Sequence, residues 1–267
     1  MKNVLATVSR VGVILVLFFI GWYLLQPSAN PTAAPERWAV VVPHHDLVKS
    51  NRQDFWQTLL TEHPQAANTT KIILIGPDHF GLQQQAISYT DENFTIYNGA
   101  LTNGLANRNP PFTNVVKNTT LITDDHAVTV LLAELAAYFP NATLAPFLIG
   151  DKIKFNELGN LLNFIKDECV DTCLIVASVD FSHGLSLEQA DQKDGQTLAQ
   201  LANMSVAQDS LIVPDNADCP ACLYTIQELG RNWGNTWWFW DKTNSANGNT
   251  DLIDTVSHIY GGYLPKK

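Results

Sequence analysis

Short, wholly apolar runs alternate with amphipathic segments along most of the chain. The apolar runs are rich in Val and Ile and end at Pro, Gly or polar residues, which is typical of strands buried in a sheet. Such strands are predicted at residues 38–42, 71–75, 143–148 and 173–178, with later strands at 237–240 and 256–263. Apolar residues at helical spacing predict helices at 54–60, 127–138, 155–165 and 187–202, and residues 86–96 favour a hairpin. This order predicts an α/β fold with a central, mostly parallel sheet and helices on both faces.

The first 35 residues have a different pattern from the rest. Residues 4–25 are apolar apart from Arg10, and at about 1.5 Å per residue they are long enough to cross a bilayer. Lys2 and Arg10 favour a cytoplasmic start. We therefore expect a transmembrane helix and short tether in residues 1–35, and one domain over residues 36–267 on the extracytoplasmic side of the membrane. A cleaved signal peptide is the alternative, and it would leave the domain secreted.

The charge balance limits the class of partner. The chain has 16 Lys and Arg against 26 Asp and Glu, a formal net charge of −10, and none of the acids lies in the first 35 residues. An acidic domain is repelled by phosphate backbones, so nucleic acid is excluded as a partner. The partners we expect are a small-molecule substrate or another protein, and the membrane through the N-terminal helix.

Histidines and aspartates directly follow three of the predicted strands. The loops are Pro43-His44-His45-Asp46, Gly76-Pro77-Asp78-His79 and Ser178-Val179-Asp180-Phe181-Ser182-His183. Ligands of open α/β sheets bind at the carboxyl ends of the strands, because the loops converge there. Imidazoles grouped with carboxylates suit a transition metal, or acid–base chemistry near neutral pH. The sequence therefore predicts one shared site built from these loops.

The chain also resembles the Memo family, called AmmeMemoRadiSam system protein B in bacteria and archaea. The resemblance covers residues 38–264 and is carried by these three loops together with Asp125-His126. It implies the fold of class III extradiol dioxygenases, which use non-haem iron to open catechol-type rings. It further implies a metal, iron(II) or alternatively copper, bound by His44, His79 and Cys219. His126, Asp180 and His183 would complete the pocket in catalytic roles.

The cysteines leave two interpretations of this ligand set open. Pro220 follows Cys219 where the family has Gly, so Cys222 is an alternative match. Outside the cytoplasm paired cysteines tend to oxidise, and a local Cys169–Cys173 bridge is the simplest pairing. Cys219 is then either a metal ligand or the partner of Cys222 in a second disulfide.

Two classes of function follow from the predicted site. The first is a membrane-tethered, metal-dependent oxidoreductase of dioxygenase type. The second is a non-catalytic module of the same fold that binds metal or a partner protein, since a fold does not fix a function.

Overall fold

A mixed nine-stranded sheet forms the centre of the computed structural model, which describes residues 36–96, 99–205, 216–246 and 254–266. The strands are β1 (Arg37–Val42), β2 (Lys71–Pro77), β3 (Ile87–Tyr89), β4 (Phe94–Ile96), β5 (Gly99–Leu101), β6 (Val115–Lys117), β7 (Thr143–Ile149), β8 (Cys173–Ser178), β9 (His183–Leu185), β10 (Thr236–Asn244) and β11 (Thr255–Leu264). Their order in the sheet is β10-β11-β1-β8-β2-β7-β3-β6, and β9 pairs with β11 beside this path. Strands β4 and β5 form a separate pair.

The directions of the strands correct two predictions. The central strands β1, β8, β2 and β7 are parallel. Strand β11, in contrast, pairs antiparallel with each of β1, β10 and β9. Strand β3 pairs antiparallel with β7. The sheet is therefore mixed and not mostly parallel. Ten residues join β10 to β11, fewer than a parallel crossover needs. The predicted hairpin at 86–96 is also wrong, because β3 joins the large sheet whereas β4 pairs with β5.

Helices cover both faces of the sheet, as predicted. They are α1 (Lys49–Glu62), α2 (Thr119–Asp124), α3 (His126–Tyr138), α4 (Phe155–Glu168), α5 (Leu187–Ala202) and α6 (Pro220–Trp233). Side chains alternate along each strand, so Val40 belongs to the core under α1 and α3 whereas Val41 belongs to the core under α4 and α6. Burying each such Val or Leu side chain stabilises the fold by about 1.5–3 kcal/mol.

The predicted transmembrane helix and single-pass membrane location need correction. Among the residues that the structure describes, we find no helix with both the length and the apolar composition that a bilayer crossing requires. In α4, for example, apolar residues form one stripe facing the sheet, and Asn, Asp, Glu and Lys occupy the rest of the surface. The segment on which the prediction rested, residues 1–35, lies outside the described residues.

The Cys169–Cys173 disulfide favoured by the sequence is present. It connects the residue after α4 to the first residue of β8, and both cysteines are buried in the core under α4. The bridge therefore fixes the entry of the chain into β8, one of the two inner strands of the parallel group.

Candidate metal centre

Three adjacent parallel strands bring the candidate residues to one edge of the sheet. Strand β8 lies between β1 and β2 and is parallel to both, so the carboxyl ends of all three are side by side. His44, Asp180 and His79 each come two residues after the end of their strand. The common spacing places the three side chains in neighbouring loops above the sheet.

Three imidazoles meet at this edge. The His44 ring lies edge-on to the rings of His79 and His126, with 4.9 Å between centroids in both cases. His79 and His126 stack on each other at 3.9 Å. One ring nitrogen from each of the three lies within 4.8 Å of the others, close enough for a single metal ion to contact all three.

Two carboxylates complete the cluster on the buried side. His44 Nε2 lies 3.6 Å from Asp180 Oδ2 and 3.1 Å from Asp218 Oδ2. The backbone N–H of His44 donates to Asp180 Oδ1 at 3.1 Å. The two aspartates are also hydrogen-bonded to each other. The backbone N–H of Asp218 donates to the carbonyl of Asp180, and the backbone N–H of Asp180 donates to Asp218 Oδ1. His44, Asp180 and Asp218 thus form a second group that could hold a metal ion.

Asp218 Oδ2 is the most informative atom of the site. It is buried, and although His44 Nε2 is 3.1 Å away and His79 Nε2 is 3.6 Å away, it makes no well-directed hydrogen bond. A buried carboxylate oxygen that faces ring nitrogens without a directed hydrogen bond is incompletely satisfied, which costs free energy. A cation between this oxygen and the two ring nitrogens would remove that cost, so the donor atoms fit a metal ion.

Hydrogen bonds behind the rings orient both imidazoles. His79 Nδ1–H donates to Asp125 Oδ1 at 2.8 Å, and His44 Nδ1 lies 3.1 Å from Ser178 Oγ. Asp125 is also the N-cap of α3, accepting from the backbone N–H of Ala127. Partners on Nδ1 leave both Nε2 atoms directed at the centre, which is how outer residues commonly orient metal-binding histidines.

The electrostatics favour bound protons when no metal is present. Burial opposes protonation of His79, but the hydrogen bond to Asp125 and the nearby carboxylates of Asp125 and Asp218 prevail and raise its pKa to about 9. Burial also opposes protonation of His44, yet Asp218 and Asp180 raise its pKa. For Asp218, burial is outweighed by the two histidines, which lower its pKa to about 2. Metal ions and protons therefore compete for the same ring nitrogens.

Most of the predicted site residues lie in the cluster, and His183 lies outside it. His44, His79, His126 and Asp180 come together in the cluster. His183 lies on β9, close enough to act electrostatically on Asp180 but outside the ligand groups found among the described residues.

Cys219 is not available as a thiolate in this structure. It forms a disulfide with Cys222, which corresponds to the second of the two interpretations that the sequence left open. The carboxylate of the preceding residue, Asp218, occupies the position beside His44 instead. Asp218 was not among the predicted site residues, because no strand precedes it, and its position next to Cys219 was the one available signal.

The chain is similar to a known protein family and to solved structures. The model of a family described as Memo-like protein matches residues 18–217. An uncharacterized protein from Escherichia coli K12 is similar in structure, with a TM-score of 0.48 and 14% sequence identity, covering 82% of this chain and 98% of that one. No curated protein matches the sequence.

Proposed function

The chain belongs to the Memo-like family, and we propose that it binds a divalent transition metal through His44, His79 and Asp218. The observation that carries the proposal is the buried Oδ2 of Asp218, which faces the Nε2 atoms of His44 and His79 at 3.1 and 3.6 Å without a directed hydrogen bond. Two imidazoles and one carboxylate are the ligand set of non-haem Fe(II) oxygenases, and three ligands leave coordination positions open. We therefore propose iron(II) as the metal, with copper as the alternative.

The residues around the proposed ligands have separate tasks. Asp180 holds the backbone of His44 and the backbone of Asp218, so it fixes the spacing of two ligands. His126 has a side chain that is 54% exposed, and burial and the two neighbouring imidazoles lower its pKa. It is therefore neutral near pH 7 and can accept a proton on the solvent side of the site. When bound, the metal would polarise an oxygen atom of a ligand and lower the pKa of bound water.

We further propose that the metal serves an oxidoreductase reaction of dioxygenase type. Support comes from the ligand set and from the solvent-exposed side of the cluster at His126, through which a substrate can approach. A non-catalytic metal-binding module is the second candidate. The same donor groups support it, because holding a metal ion does not by itself require a substrate cavity.

Metal analysis tests the binding proposal directly. The full 267-residue chain is loaded with Fe²⁺ under anaerobic conditions, desalted and assayed for iron, together with His44→Ala, His79→Ala and Asp218→Asn. Asp124→Asn is the matched control, because Asp124 is exposed and lies outside both ligand groups. We expect about one iron per chain in the wild type and the control, and loss of iron in the three variants. Unchanged iron in both histidine variants would refute the ligand assignment.

Oxygen consumption separates the two candidate functions. The iron-loaded wild type is incubated with a panel of catechols in an oxygen electrode, with His126→Ala as the comparison. Consumption that depends on catechol and falls in the variant supports the oxidoreductase. Stoichiometric iron without consumption supports the binding module.

A further inference from the structure

We infer that Arg52 is a positioning residue for the proposed metal centre, and that Glu134 acts on the centre through Arg52. Neither side chain belongs to a ligand group, and both are buried, with 1% and 5% exposure. The inference rests on the proposed function, since it concerns what holds His44 in place for metal binding.

One side of the Arg52 guanidinium is fixed by a carboxylate. Arg52 lies on α1, and its Nε donates to both oxygens of Glu134 at 3.1 Å, while Nη2 donates to Oε1 at 3.0 Å. Glu134 lies on α3, and it also accepts from Trp56 Nε1 at 3.3 Å. Paired charges with this many hydrogen bonds have little freedom to move.

The other side of the guanidinium holds the loop that contains His44. Arg52 Nη1 donates to the carbonyl of His45 at 2.7 Å and reaches the carbonyl of Pro43 at 3.5 Å. These are the two residues that flank His44. Because the carbonyl of the residue before His44 and the carbonyl of the residue after it are both held, the loop backbone at His44 is positioned without a hydrogen bond from Arg52 to the imidazole.

Helix α3 connects this arrangement to the second imidazole. Asp125 caps the start of α3 and orients His79, whereas Glu134 is nine residues further along the same helix and orients Arg52. The two carboxylates are therefore separated by about 13 Å of continuous helix. Both metal-binding loops are held by one rigid element, so the spacing between His44 and His79 depends on the Arg52–Glu134 pair.

Metal affinity and the free energy of unfolding report different effects of the Arg52–Glu134 pair. A buried ion pair often contributes little net stability compared with apolar residues, although removing one partner is destabilising because the other charge is left buried. Loss of an outer residue that orients a metal ligand lowers metal affinity by about 10- to 100-fold. Metal affinity measured on folded protein therefore reports the proposed role, and the free energy of unfolding does not.

The experiment measures Co²⁺ binding by its visible absorption spectrum, which also reports the coordination geometry. The full chain, Glu134→Gln and Arg52→Lys are titrated, and the folded fraction of each is measured by circular dichroism. Glu168→Gln is the matched control, since Glu168 pairs with Lys71 at the opposite end of β2 from the site. We expect both test variants to bind Co²⁺ about 10- to 100-fold more weakly with an altered spectrum. The control should match the wild type.

Two variants keep the inference testable if one of them does not fold. Arg52→Lys keeps a positive charge beside Glu134 but cannot reach the carboxylate and both loop carbonyls at once. Wild-type affinity and spectrum in either folded test variant would overturn the inference. Failure of the wild type itself to bind Co²⁺ would instead overturn the proposed function. In the double variant Arg52→Lys/Glu134→Gln, the Co²⁺ affinity should equal that of Arg52→Lys alone, because Glu134 acts through Arg52.

Discussion

The raised pKa of His79 predicts that the metal-free protein loses stability as the pH rises. The pH is varied, and the change in unfolding free energy is compared between the wild type and Asp125→Asn. The pKa of His79 is about 9 in the folded protein against a reference value of 6.5, because Asp125 and Asp218 outweigh the effect of burial. A pKa that is higher in the folded state means that protonation stabilises the fold. This contribution is complete below pH 6.5 and is lost as the pH rises through 9.

The size of the effect follows from the same pKa difference. At 1.36 kcal/mol per pKa unit, the difference corresponds to at most about 3 kcal/mol of unfolding free energy. The His79 side chain is 24% exposed, so screening by solvent keeps the measured value below this limit. His44 also has a raised pKa and adds to the loss in the same direction.

Urea unfolding in the presence of a chelator measures this loss between pH 6 and pH 9.5. Asp125→Asn keeps a side chain that caps a helix well but removes the charge that raises the pKa of His79. We expect a clear decline in unfolding free energy for the wild type and a smaller one for the variant. Equal declines in the two proteins, or a wild type whose stability does not fall over this range, would refute the reasoning.

Three further predictions follow from the described contacts. Co²⁺ affinity should increase as the pH rises towards 9, because the metal displaces the proton of His79; a titration showing constant affinity would contradict this. Cys169→Ser should lower the unfolding free energy by about 2 kcal/mol while leaving metal content unchanged, since the bridge closes a short loop away from the site; loss of metal would contradict it. Gly230→Ala should lower the melting temperature, at a cost of about 1–3 kcal/mol, because an added Cβ overlaps the Tyr263 ring; an unchanged melting curve would contradict it.

The positions of His44, His79 and Asp180 could be predicted because each follows a strand that the apolar pattern identifies. The three strands are parallel neighbours, so the strand-end rule brought the right loops together. Asp218 could not be found in this way, since it precedes a helix and reaches the site through backbone hydrogen bonds with Asp180. Those bonds connect residues 38 positions apart and leave no local pattern.

Strand direction was the part of the fold that the sequence did not reveal. A strand buried on both faces has the same apolar pattern whichever way it runs, as β3 and β11 show. Their antiparallel pairing depends on the length and path of the connections, which apolar patterns do not encode. Arg52 was missed for a related reason, because one Arg within a helix is normally solvated, and its buried partner Glu134 lies 82 residues away.

The position of β8 between β1 and β2 has a consequence for when the proposed metal site can form. The strand that separates the two outer ones is synthesised almost a hundred residues after β2, so the first half of the chain alone would leave a gap in the sheet. The loops of His44 and His79 take up their final spacing only when this late strand has been inserted. The proposed site is therefore complete only after β8, and after it Asp218, has been synthesised.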